Sequence, residues 1–276
     1  MNHSFSAAYL LIFLALCLAV GSGHRQQPIE HPFPMTPGTF WVYQGTIQFT
    51  QSNGQSSETA VTWRTEIKRV IQRGTLSAAV VNNFPPELNW TDGHPEPADS
   101  LLIEDSGKFY YISSERFQDA VQRLERPSDN LDGLRRDDDL ILEWPLVPGQ
   151  KYACDARTLA RPDNMYCWMV SSLGHASLQG VSGISAGERA EYQLTFTTNP
   201  DDTEFSFVPW IGITKYAYHH HGTVARTDLQ LLEFHSAART TISFPYRPLV
   251  FWLALYFVSS LPHSLFHVLS LQTAQP

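Results

Sequence analysis

From Thr39 onward, apolar and polar residues alternate with a period close to two. "TFWVYQGTIQFTQ" (Thr39–Gln51) sets Phe40 and Val42, then Ile47 and Phe49, on alternating positions, which predicts a strand with Gly45 as a bulge. Asn53-Gly54 is a hairpin-turn signal. Beyond it, "ETAVTWRTEIKRVIQ" carries Val61, Trp63, Thr65, Ile67 and Val70, a long partner strand whose second half also fits a helix. "TLSAAVVNNF" continues as a third strand, and "SLLIEDSGKFYYISS" is a second hairpin about Asp105-Ser106-Gly107. A change of period marks one helix, opened by Ser114, with Phe117, Val121 and Leu124 at helical spacing and Pro127 stopping it.

After the charged turn "RPSDNLDGLRRDDD", strand patterns return in "LILEWPLVPGQKYAC", "NMYCWMVSS", "AEYQLTFTT", "EFSFVPWIGITKYAYHH" and "TVARTDLQLLEFH". About ten strands, one short helix and no strand–helix–strand alternation predict a mainly β fold. The expected architecture is a single antiparallel curved sheet forming an open barrel or sandwich.

The two ends break this pattern. "AYLLIFLALCLAVGSG" (Ala8–Gly23) is an uncharged apolar run followed by small residues, as in a secretory signal peptide. The expected organisation is a signal helix over 1–23, a proline-rich lead-in over 24–38, the β domain over 39–236, a linker over 237–248 and an apolar segment over 249–271. No acidic or basic residue follows Arg247. Leu249–Leu271 would reach about 35 Å as a helix, enough to cross a hydrocarbon core of about 30 Å. Packing of this helix on the domain, or its removal as an anchor signal after "SAA" (Ser236–Ala238), are the alternatives.

Export changes how the cysteines are read. Cys17 falls in the signal behind Leu16, where lipid attachment wants a small residue, so Cys154 and Cys167 remain in the mature chain. In an oxidising compartment they form a disulfide; in a reducing one they stay as buried thiols. The formal net charge of −8 gives no electrostatic reason to expect nucleic acid.

Two stretches carry a resemblance. "FPMTPGTFWVYQG" (Phe33–Gly45) and "FVPWIGITKYAYHHHGT" (Phe207–Thr223) resemble the opening and closing segments of uncharacterised bacterial exported proteins and lipoproteins, which pair a P-x-x-P-G-x-x-W-x-Y start with a late "GIG" strand. The resemblance implies a β-rich envelope domain and brings no established active site.

Candidate chemistry is sparse. "GITKYAYHH" and "TVARTDLQLLEFH" read as the arms of a hairpin turning at His221-Gly222. Alternation then puts Tyr216, Tyr218 and His220 on one face and Lys215, Ala217, His219 and His221 on the other, so His219 and His221 are the candidate metal ligands, with Asp228 as a third. A strand end with exposed imidazoles is the plainer expectation. "GISAG" (Gly183–Gly187) matches the nucleophile-elbow pattern, with His219 and Asp201 downstream, but a strand pattern follows Ser185 where an elbow needs a helix. "RRDDD" (Arg135–Asp139) lacks the spacing of a calcium loop, and Asn89-Trp90-Thr91 is a glycosylation sequon. The expectation is a non-enzymatic binding or structural module without a cofactor, in the periplasm or at the cell surface. Its expected partners are an apolar small ligand in the sheet's concavity or an envelope component, and the membrane through the C-terminal segment. An envelope hydrolase or metal enzyme is the alternative.

Overall fold

The computed structural model describes residues 32–51, 53–90, 95–222 and 225–237. The signal segment, most of the lead-in, the linker and the apolar C-terminal segment lie outside the described residues. Twelve strands form one antiparallel sheet: β1 (Phe40–Thr50), β2 (Ser56–Arg73), β3 (Leu76–Asn82), β4 (Asp99–Asp105), β5 (Lys108–Ile112), β6 (Leu140–Glu143), β7 (Lys151–Tyr152), β8 (Trp168–Ser177), β9 (Glu188–Thr197), β10 (Asp201–Val208), β11 (Gly212–His220) and β12 (Ala225–His235). Their order is β6-β5-β4-β3-β2-β1-β12-β11-β10-β9-β8-β7, two meanders joined where β1 pairs with β12.

The sheet curls into a nearly closed barrel. At the seam, Tyr152 of β7 donates its hydroxyl to the Ile141 carbonyl of β6 at 2.9 Å, and the Trp144 and Tyr192 rings meet edge to face 6.1 Å apart. One end holds the β1–β2 and β11–β12 turns and the β3–β4 loop, and is called the histidine end. At the other, the chain enters at Pro32 and leaves beyond β12, and this is called the terminal end.

The inward face of β1 differs from the sequence expectation. Trp41 and Tyr43 are buried with Ile47, whereas Phe40 lies under the Arg64 guanidinium, 3.6 Å from it, and stacks on His235. Trp and Tyr can go inside because their polar tips find partners: Trp41 Nε1 donates to the Ile211 carbonyl at 2.6 Å and Tyr43 Oη to that of Ile213 at 3.0 Å. The register shift falls between Val42 and Tyr43, not at Gly45. Gly45 serves a different need, since a Cβ there would stand 1.8 Å from the Asp228 carbonyl oxygen.

β2 is strand throughout its eighteen residues. Its register slips between Ile67 and Arg69, so Trp63, Thr65 and Ile67 face inward and, past the slip, Val70 does. That change of parity is what resembled a helix in the sequence. The stretch read as one strand over 204–220 is two, because Pro209, Trp210 (φ 65°) and Ile211 turn the chain between β10 and β11.

The interior is filled by the chain itself. Phe33, from the lead-in, sits among Trp41, Phe84, Phe109 and Phe207 at centroid distances of 5.5, 6.4, 6.2 and 6.0 Å. Such ring pairs add about 0.5–1.5 kcal/mol each beyond their area burial. A second, smaller core lies outside the barrel, where α1 (Ser114–Glu125) lays Phe117, Ala120, Val121 and Leu124 on Ala78, Val80, Leu101 and Ile103 of β3 and β4. These four helix positions follow the i, i+3, i+4, i+7 spacing of one apolar stripe. A single-turn helix, α2 (Ala156–Leu159), follows Asp155, whose carboxylate caps it by accepting from the Arg157 and Thr158 amides.

Candidate functional site

The three consecutive histidines lie at the end of β11, and each faces a different aspartate. His220 Nδ1 is 2.7 Å from Asp201 Oδ1, His221 Nε2 is 2.5 Å from Asp202 Oδ2, and His219 Nε2 is 3.6 Å from Asp228 Oδ1. Strand register produces this arrangement, since Asp201 stands opposite His220 and Asp202 opposite His219 across the β10–β11 ladder. Asp228 comes from β12 and also accepts from Arg226.

His220 belongs to the inward set. Asp201 Oδ1 accepts the Tyr218 hydroxyl at 2.7 Å as well as meeting the imidazole, and the Trp90 ring lies 4.2 Å from the His220 ring, edge to face. Burial and the adjacent Asp201 carboxylate push the Tyr218 phenol well above its ordinary range. The β3–β4 loop that brings Trp90 is fastened to the barrel by Asn89 Oδ1, which accepts the Tyr216 hydroxyl at 2.9 Å, and by the Leu88 carbonyl, which accepts from Thr227 at 3.3 Å. The sequon asparagine is thus engaged with the fold.

Polar side chains cover the outer face of the same strands in three cross-strand rows. The first runs Gln193, Ser206, Lys215, Gln230, Gln44; the second Thr195, Glu204, Ala217, Asp228, Thr46; the third Thr197, Asp202, His219, Arg226, Gln48. Between the longer outer rows, small Ala217 leaves the floor of an open trough of about 400 Å³. Within the first row Gln193 bonds Ser206 at 2.8 Å, and Thr214 Oγ1 donates to the buried Glu191 carboxylate at 3.0 Å. Lys215, Glu204, Gln44 and Gln230 have no side-chain hydrogen bond or ion pair among the described residues.

In Asp202, burial pushes the carboxyl pKa up, but hydrogen bonds from His221 and Thr197 and the charges of His221 and His219 outweigh it and hold the group below its ordinary value.

His219 and His221, the candidate joint ligands from alternation, face separate aspartates: His221 is hydrogen-bonded to Asp202, whereas His219 Nε2 stands 3.6 Å from Asp228 and makes no hydrogen bond. Among the described residues no group of three or more His, Cys, Asp or Glu is placed to hold a metal ion. The elbow motif is not an elbow. Ser185 lies in the β8–β9 loop at the terminal end, where its hydroxyl accepts from Arg189 at 3.3 Å, and β9 follows it instead of a helix. Asp201 and the histidines lie beyond the ten residues of β9, about 30 Å away along the strand. Gly183 of that motif has a structural duty: at φ 81° it passes so near β12 that a Cβ would stand 1.9 Å from the Phe234 carbonyl oxygen. In "RRDDD", Arg135 pairs with Asp105, and Asp139 pairs with Arg116 at 2.6 Å.

Sequence reasoning missed the roles of Trp90 and Asp202, and set Asp201 with Ser185 instead of with His220 and Tyr218. Counting back from a turn at Pro209–Ile211 sets Asp202 against Tyr218, and it is the register shift between Ser206 and Phe207, which no local pattern announces, that moves it to His219. Cys154 and Cys167 are joined by a disulfide across a separation of 13 residues. No helix among the described residues is long and apolar enough to cross a membrane.

No family model matches the chain, and no curated protein does. Two solved structures are similar to it. One is a presumed exported protein with a YmcC-like fold from Bacteroides fragilis, 11% identical, covering 75% of this chain and 99% of its own, with a TM-score of 0.38. The other is a presumed lipoprotein from Parabacteroides distasonis, 12% identical, covering 76% of this chain and all of its own, with a TM-score of 0.34. At these scores the likeness has no bearing on function.

Proposed function

We propose that this chain is a non-enzymatic module exported to the cell envelope, tethered there by its C-terminal apolar segment, and that it meets its partner on the outside of the barrel. One observation carries the reading: the concave side, where an apolar ligand was expected, is occupied by Phe33 and the four rings around it. The outer rows are hydrophilic, the reverse of a barrel that faces lipid around its girth. Their unpartnered Lys215, Glu204, Gln44 and Gln230 suit a polar envelope component. Export is supported by the apolar run before Gly23 and by the disulfide, which belongs to an oxidising compartment.

The test is uptake of an apolar fluorescent probe by the purified chain and by Phe33→Ala. Both are made in a Trp210→Ala background, which opens the exposed apolar groove at the terminal end; there no saturable binding is expected, while adding Phe33→Ala gains a site of about one ring's volume. Saturable binding of one probe per chain in Trp210→Ala alone would overturn the reading.

A further inference from the structure

The terminal end of the barrel bears an apolar groove of about 590 Å³. Its walls include Pro34, Met35, Pro37, Val70 and Trp210. Trp210 is 53% exposed although it is among the largest apolar side chains, and its amide is fixed by a 2.6 Å hydrogen bond to the Pro32 carbonyl. A concave apolar surface of this kind on an exported domain calls for a partner.

The covalent path of the chain says which partner. Residues 32–39 and 236–237 run side by side at this end, the Ala237 amide donating to the buried Thr39 hydroxyl at 3.3 Å. Eleven residues, 238–248, separate Ala237 from Leu249, where the charge-free apolar segment begins. Even fully extended, that linker reaches only about 40 Å. With the apolar segment in lipid, the groove is therefore held near the bilayer at high effective concentration, and a weak apolar contact suffices to seat it. Tryptophan is the side chain that settles best at a membrane–water boundary, with its ring in the apolar layer and its N–H toward water.

We propose that the terminal end of the barrel rests on the lipid surface, with Trp210 in the interface, so that the histidine end and Trp90 point away from it. The proposal rests on the reading of the C-terminal segment as the tether.

Tryptophan quenching tests it, because Trp90, 49% exposed at the histidine end, is a built-in control for Trp210. The full chain, carrying Trp252→Phe to silence the tail, is reconstituted with phosphatidylcholine vesicles whose acyl chains are brominated. Flotation is measured on the same samples. The expected result is co-flotation with quenched emission, most of the quenching disappearing in Trp210→Phe and all of it persisting in Trp90→Phe. Co-flotation with quenching unchanged by Trp210→Phe, or lost in Trp90→Phe, would overturn the orientation and leave the tether standing. Failure to float would overturn the tether and the orientation together.

Discussion

His220 and Asp201 meet across the β10–β11 ladder, imidazole Nδ1 to carboxylate Oδ1, at 2.7 Å. Because the same oxygen takes the Tyr218 hydroxyl, one carboxylate holds two inward-facing groups at the histidine end. Asp201→Ala leaves both without that acceptor and is expected to lower stability by about 1–3 kcal/mol. Asp201→Asn keeps an acceptor oxygen and should lose less. Urea unfolding of the two variants checks the order; equal loss would mean that the hydrogen bonds are not what matters.

The neighbouring imidazoles should be indifferent to metals. His221 is bonded to Asp202, and His219 faces a different carboxylate, that of Asp228, at 3.6 Å. The expected outcome for His219→Ala with His221→Ala is unchanged metal content by elemental analysis and no zinc-dependent rise in melting temperature of the parent. Loss of one bound zinc or copper per chain in the variant would contradict the separate pairing.

Acid should weaken the same corner. The Asp202 carboxyl is held below its ordinary value in the folded chain, so its contribution is fully present above the unfolded value of about 4 and is lost as pH falls through the folded one. Asp129 acts in the same direction, through the Arg123 guanidinium and the Leu131 amide. Melting temperatures from pH 7 to pH 2 are expected to decline more gently below pH 4 in Asp202→Asn than in the parent. A parallel decline would remove Asp202 from the account.

The alternation that revealed the strands could not reveal which face of β1 turns inward. Phe40 and Val42 are the more apolar pair, yet Trp41 and Tyr43 are buried, because carbonyls at Ile211 and Ile213 accept their polar tips. Those partners lie 170 residues away, beyond any local pattern. The Asp201–His220 and Asp202–His221 pairs were hidden for a related reason, since they depend on register across the β10–β11 turn and on the shift between Ser206 and Phe207. The hairpin carrying His219 and His221 was legible, being set by a short turn with glycine and by local alternation.

Gly183 offers a sharp test of the loop that seals β12. Ser182 exchanges backbone hydrogen bonds of 2.9 Å with Leu232 and Phe234. Gly183→Ala combines a strained backbone with a clash against the Phe234 carbonyl and should cost about 2–4 kcal/mol, whereas Gly180→Ala, which meets no neighbouring atom, should cost about 1 kcal/mol. Thermal unfolding of the pair gives the comparison; equal losses would show that the close approach is unimportant.

The disulfide makes a prediction about conditions. Closing a loop of this size restricts the unfolded chain by about 3 kcal/mol. Cys154→Ser with Cys167→Ser, or the parent under reductant, should therefore melt about 6–12 °C lower. Unchanged melting in both would mean that the two cysteines contribute nothing as a pair.

The strand order also has a consequence in time. Every ladder except β1–β12 joins strands adjacent in sequence. The two meanders can therefore zip up by short-range steps, each on its own half of the polypeptide, while the joining ladder waits for the last strand to be available. Its late arrival is chiefly a matter of rate, because the entropy of closing a loop grows only slowly with loop length. The seam between β6 and β7 has no ladder to lose, so a cut there leaves two complete meanders that can recombine along β1 and β12.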